Sequence, residues 1–261
     1  MVYSTERQAY DTHFNYIGCL SDLMDGVLLR YNGSLKKAAL PYIGEKDNLI
    51  SLTKKSLNDE LAIVNIDEDY SYASTSWLPI KSYYLIFNVL LTIEYVFNPQ
   101  KHVFRTGHSS CVDEFTRKLQ RGEIEFSEPT LNQVFDGSIL DYRVAAGANL
   151  SSRTSTADMY KMALRKIAHY KEEDWRRKNS INLRKSTHKI KYNNYLRKTL
   201  LVSIFDFPYY MRIRSNYRDF AFIDGISTAE TAEYFKKYFN FTARFVRALE
   251  KLKKDSITAR S

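Results

Sequence analysis

The residues best suited to phosphate chemistry stand together at Arg212-Ile-Arg-Ser-Asn-Tyr217, with Arg218 directly behind. A guanidinium can grip a phosphate through two parallel hydrogen bonds, and Asn216 and Tyr217 add further polar groups within one helical turn. This charged cluster follows an apolar run from Leu200 to Tyr210, which suggests a helix end or the lip of a groove. Three readings fit: a hydrogen-bonded network tying two helices, a phosphate or nucleotide grip by Arg212 and Arg214, or catalysis by Arg212, Asn216 and Tyr217. Tyr217 is a weak proton acceptor at neutral pH, because an unperturbed phenol ionises only near pH 10.

A second concentration of charge lies just upstream. The chain carries a net charge of +9, and residues 151–200 hold fourteen Lys/Arg against four Asp/Glu, so the rest of the protein is close to neutral. From Arg176 to Leu200 there are nine basic residues and no acid: Arg176, Arg177, Lys178, Arg184, Lys185, Lys189, Lys191, Arg197 and Lys198. Asn179, Asn182, Asn193, Asn194, Tyr192 and Tyr195 are interleaved with them. Cations neutralise phosphates, while Asn and Tyr side chains bond or stack on unpaired bases. The pattern therefore points to a nucleic-acid partner held mainly through its phosphates, with a solvated helix face or an acidic protein partner as the other readings. No helix-turn-helix and no RNA-recognition motif is present to read a base sequence.

Other chemistries find little support. There is no GxxxxGK[ST] or GxGxxG loop, no GxSxG elbow and no HExxH. The five histidines (His13, His102, His108, His169 and His188) never pair with a carboxylate at zinc spacing, so neither a metal nor a cofactor is expected. Asp67-Glu-Asp and Glu172-Glu-Asp read as solvated acidic runs. Cys19 and Cys111 are too few for a disulfide framework, and Cys111 falls on the inner side of a helical pattern, as a small buried hydrophobe.

The elements that must position these groups are helical. Gly (9) and Pro (5) are scarce among 261 residues, while Tyr (20) and Phe (15) supply a large core. Residues 5–31 carry Phe14, Ile17, Leu20, Met24, Val27 and Leu28 near helical spacing, with Asn32-Gly33 as the stop. Shorter helical pieces are expected over 35–61, and an acidic loop over 66–72. A strong helix is predicted over 77–97, capped by Ser74 or Ser76 with Pro79 in its first turn and Asn98-Pro99 ending it. Its apolar run, Tyr83–Phe97, is short for a membrane span and reads as a buried core helix. Further helices are predicted over 109–120, closed by Gly122, and over 156–177. A piece starting at Ser127-Glu-Pro-Thr runs through Phe135, and 136–152 reads as a linker. Ser227-Thr-Ala-Glu230 is a capping box that opens a long amphipathic helix to Leu252, with 253–261 as a frayed tail. The expected fold is all-α, with residues 1–70 as an N-terminal helical region and 71–261 as the main helical domain. No export signal is visible at the N-terminus, and the expected compartment is cytoplasmic.

Two stretches together resemble the HEPN family, the helical nucleotide- and RNA-associated domains of prokaryotic toxins and defence proteins. Ser76-WLPIKSYYLIFNVLLTIEYVF with Arg105-TGHSSCVDEFTRKL resembles the family's second helix, rich in a YYxxF pattern, and the His-headed helix after it. Tyr83, Tyr84 and Phe87 stand in the first pattern and His108 heads the second. Tyr209-YMRIRSNYRDFAFIDGISTAETAEYFKKYFNFTARFVRALEKL resembles the last two helices. The resemblance covers about 74–252, and 136–200 then looks like a basic helical insertion. It implies an RNA-directed protein of a toxin or antiviral system, working as a homodimer or within a larger defence complex. The family's ribonucleases carry Arg, four to six residues, then His; here Arg212 is present and Tyr217 stands in the place of the His. The literal match Arg7 to His13 lies in the first helix, outside the family's place. The resemblance therefore implies a non-catalytic or atypical member. One alternative is an active metal-independent endoribonuclease, its site completed by Tyr217, Asn216 or His188. The other is a structural helical subunit docked on an acidic protein.

Overall fold

The computed structural model of the chain describes residues 5–37, 43–64, 66–99, 107–137, 155–216 and 226–260. The fold over these residues is all-α. Eight helices carry it: α1 (Thr5–Leu23), α2 (Gly44–Ile63), α3 (Glu68–Phe97), α4 (His108–Gln120), α5 (Thr156–Lys178), α6 (Ser186–Lys198), α7 (Asp206–Asn216) and α8 (Thr228–Arg260). Two small antiparallel ribbons complete it. β1 (Leu29–Tyr31) pairs with β2 (Ile124–Phe126), and β3 (Phe135–Asp136) pairs with β4 (Leu201–Val202).

α3 and α8 form the central pair. α1 and α2 flank them, and α7 is wedged among α3, α4 and α5. α8 opens with the capping box: Glu230 N–H donates to Ser227 Oγ (3.3 Å), and Ser227 N–H donates to Glu230 Oε2 (3.0 Å). Its stripe of Tyr234, Phe235, Tyr238, Phe241, Phe245 and Leu249 is buried throughout. Phe245 meets Phe126, Phe205 and Phe241 with ring centroids 5.6–6.3 Å apart, the spacing at which offset and edge contacts are favourable. The same core takes in Ile17 of α1, Ile50 and Leu57 of α2, and Tyr160, Leu164, Ile167 and Ala168 of α5. α5 lies within the stretch expected as an insertion, yet its inner face is core.

Several expectations move. The first helix stops at Leu23 rather than running to Tyr31, because Gly26 (φ 64°) turns the chain and Leu29–Tyr31 extends to pair with β2. α3 begins at Glu68, inside the expected acidic loop. Asp67 caps it, its carboxylate accepting the Tyr70 N–H (2.8 Å), so neither Ser74 nor Ser76 is the cap and Pro79 lies well inside the helix. Pro129–Asn132 is only a 3₁₀ turn. α8 does not fray at Leu252. It continues to Arg260, which donates to the carbonyls of Lys36 (2.7 Å) and Phe97 (2.9 Å), the latter at the end of α3. The expected linker over 136–152 lies almost wholly outside the described residues.

α3 is also the one helix among the described residues long and apolar enough to cross a membrane, but 83% of that stretch is buried inside the fold. It is a core helix, as its sequence suggested. α4 ends at Gly122 (φ 68°) in a Schellman turn, with Gly122 N–H donating to Leu119 and Glu123 N–H to Lys118.

Candidate nucleic-acid interface

α5 and α6 form a basic hairpin. α5 ends in a second Schellman turn, where Ser180 N–H donates to Arg177 (3.1 Å) and Ile181 N–H to Arg176 (3.0 Å). Ser180 takes the left-handed position usually given to glycine (φ 48°). The chain reverses there, and Asn182 Oδ1 accepts the Arg184 N–H (2.9 Å), which sets Arg184 and Lys185 at the tip. α6 then returns with Tyr192, Tyr195 and Leu196 inward.

This geometry sorts the nine basic residues of the block. Arg176 lies over the Tyr192 ring (5.9 Å) and 3.7 Å from Glu172, while Arg177 and Lys178 both pair with Asp174 (3.0 and 2.7 Å). Acids one turn earlier on α5 thus neutralise the start of a run that has none of its own. Lys191 donates to Asn179 Oδ1 (3.0 Å) and lies over Trp175. Arg184, Lys185, Lys189, Arg197 and Lys198 are exposed, with no ion pair among the described residues. They form the open basic face, with Asn193 and Asn194 between them.

Tyr192 and Tyr195 do not offer their rings to bases. Both are buried, Tyr192 donating a short hydrogen bond to Glu172 and Tyr195 stacked on Trp175 at 4.0 Å and 6°. Asn179 and Asn182 are spent on the hairpin's own bonds, Asn179 also donating to the Trp175 carbonyl. His188 Nδ1 accepts the Asn182 N–H (3.0 Å), and no contact joins it to Arg212 among the described residues.

The Arg212 cluster sits at the junction of α3, α4 and α7. Its guanidinium lies over the rings of Tyr83 (5.0 Å), Tyr84 (5.5 Å) and Tyr209 (5.7 Å). Among the described residues no carboxylate pairs with it. Among those residues its buried Nε has no hydrogen-bond partner, and Nη1 makes only a long bond to the Tyr84 hydroxyl (3.4 Å). Tyr217 lies outside the described residues, as do the side chains of Arg214 and Asn216.

The group that does meet this cluster is His108, which opens α4. Its Nδ1 is 2.7 Å from the Tyr83 hydroxyl, and its ring packs on Phe87 (4.2 Å) and meets the Tyr84 ring edge-on. Burial, and then the Arg212 charge, hold its pKa below the ordinary value of 6.5, so it is neutral at pH 7. Burial pushes the Tyr83 hydroxyl up, against the pull of Arg212, and it remains a phenol. The pattern Tyr83, Tyr84, Phe87 and His108 was visible in the sequence, but its convergence with Arg212, more than a hundred residues away, was not.

Charges from both sites reach Tyr209. Burial raises the Tyr209 hydroxyl, while the charges of Lys178, at the end of α5, and of Arg212 pull it back. Beneath them Lys171 ties α5 to α4 and α7, donating to Asp113 (2.6 Å), Asp206 (2.9 Å) and the Leu201 carbonyl (2.9 Å). Burial alone would lower its pKa, but Asp206 and Asp113 reverse this and raise it. No family model, no curated protein and no solved structure matches the chain.

Proposed function

We propose that this is a nucleic-acid-engaging protein, RNA favoured, with a HEPN-like helical bundle of the kind used in prokaryotic toxin and antiviral systems. The observation that carries the reading is the open face of Arg184, Lys185, Lys189, Arg197 and Lys198, five cations with no ion pair among the described residues. Such a face has counterions to release and phosphates to gain. Lys178, at the start of the basic block, and Arg212 both act on the Tyr209 hydroxyl, and no carboxylate among the described residues pairs with Arg212. Homodimerisation, or a place in a larger defence complex, belongs to the same proposal.

A second reading is metal-independent RNA cleavage, and the contact network around His108 favours it. A neutral imidazole beside a guanidinium can accept the proton of a ribose 2′-hydroxyl as that oxygen bonds to phosphorus. The P–O5′ bond breaks, the departing 5′-oxygen takes a proton from water, the His108 imidazolium returns its own to the resulting hydroxide, and the products are a 2′,3′-cyclic phosphate and a 5′-hydroxyl.

Labelled single-stranded RNA and duplex DNA, incubated with the protein in EDTA at two salt concentrations, test both readings. The proposal expects binding that weakens steeply with salt and is lost when the five open cations are changed to alanine. RNA cut by wild type but by neither His108→Ala nor Arg212→Ala establishes the second reading. Absence of binding even at low salt overturns both and points to an acidic protein partner.

A further inference from the structure

α3 is buried along most of its length, but one edge is bare. Trp77 is 57% exposed and Tyr84 43% exposed. Seven residues separate them, which is two turns, so they share a face about 10.5 Å apart along the axis at 1.5 Å per residue. Exposed aromatic rings on the edge that also meets Arg212, an arginine with no carboxylate partner among the described residues, offer two things at once: flat faces for bases and a charge for a phosphate. Arg212 lies over the rings of Tyr83 and Tyr84, which restrict the guanidinium that would meet a phosphate.

A duplex cannot use such an edge, because its base faces are already covered by their neighbours. A single strand can, since every exposed base has a face to stack. The two positions are about 10.5 Å apart along the helix axis, more than the step of about 3.4 Å per nucleotide along a strand of duplex, so the two rings would take separate bases of an opened strand. We infer that Trp77, Tyr84 and Arg212 form a stacking platform for single-stranded nucleic acid. This rests on the proposed function and narrows it to strands with unpaired bases.

Trp77 reports on its own occupancy. The chain has two tryptophans, and Trp175→Phe leaves Trp77 as the single emitter. Titrating that variant with oligouridylate and with duplex RNA of equal length, at low salt, reads stacking as quenching and binding as anisotropy of a label on the RNA. The platform predicts quenching by oligouridylate and none by the duplex. In the otherwise unaltered protein, Tyr84→Ala and Trp77→Ala are each predicted to weaken oligouridylate binding by about 5- to 150-fold, the range of one lost base stack. Both rings are exposed, but Tyr84 also meets Arg212 and His108, so Trp77→Ala is the variant that reads the stack alone. Binding with unchanged Trp77 emission, or equal quenching by duplex, overturns the platform and leaves the basic hairpin as the interface. Quenching that rises with protein concentration alone overturns it in favour of a second copy of the chain. No binding of either RNA overturns the proposed function itself.

Discussion

His108 is held by one ring nitrogen and half removed from solvent, and both facts bear on its charge. Its folded pKa lies below 6.5, so the unfolded chain binds its proton more readily. The stability this histidine contributes is therefore full above pH 6.5 and lost as pH falls toward its folded value. NMR titration should show His108 ionising below the ordinary histidine value of 6.5, and Arg212→Met should move its pKa upward by removing one of the two causes. An unshifted His108, or no response to Arg212→Met, contradicts the geometry. At Ser180 the left-handed backbone costs a non-glycine residue about 1 kcal/mol. Ser180→Gly is expected to stabilise the protein by about 0.5–1 kcal/mol in denaturant unfolding, and a loss of stability would contradict the strain assigned to this position. Sequence spacing showed that Tyr192 and Tyr195 lie among cations. It could not show that they face inward, because that depends on Glu172 and Trp175 of the neighbouring helix.

At the level of elements, Lys171 is the tie between α5, α4 and α7. Lys171→Met would leave the fully buried Asp206 without its cation and should destabilise by about 3–5 kcal/mol, measured by chemical denaturation. A loss under 1 kcal/mol would mean that Asp206 is satisfied by Thr116 and the Ser203 N–H alone. At the far end of the bundle, Arg260→Ala should cost about 1.5–3 kcal/mol, since its two charged hydrogen bonds hold the carbonyls of Lys36 and Phe97. Full stability after that change would mean the tail frays as the sequence suggested. The tail was misread because Ser256 and Arg260 continue the inward stripe with polar side chains, and hydrophobic periodicity cannot register a buried arginine. The three-residue strands were missed for a similar reason: pairing across about ninety residues leaves no local period. The capping box at Ser227 and the turn at Gly122 were legible because their chemistry is contained within four or five residues.

For the whole molecule, the all-α class followed from scarce glycine and proline and from long apolar stripes, and the eight helices agree with it. The division of the chain was harder to read. Charge marked residues 136–200 as a block apart, yet α5 carries core on one face and cations at its end, and a charge count averages the two. The central claim, that the open cations of the basic hairpin hold nucleic acid, is tested most directly by the salt dependence of binding. Affinity for single-stranded RNA should be measured over a range of salt for wild type and for the variant with Arg184, Lys185, Lys189, Arg197 and Lys198 changed to alanine. Each cation on a phosphate contributes about 0.7 to the slope of log affinity against log salt. The account predicts a slope shallower by about 3.5 in the variant, with far-ultraviolet circular dichroism unchanged. An identical slope and affinity in the two proteins would contradict it.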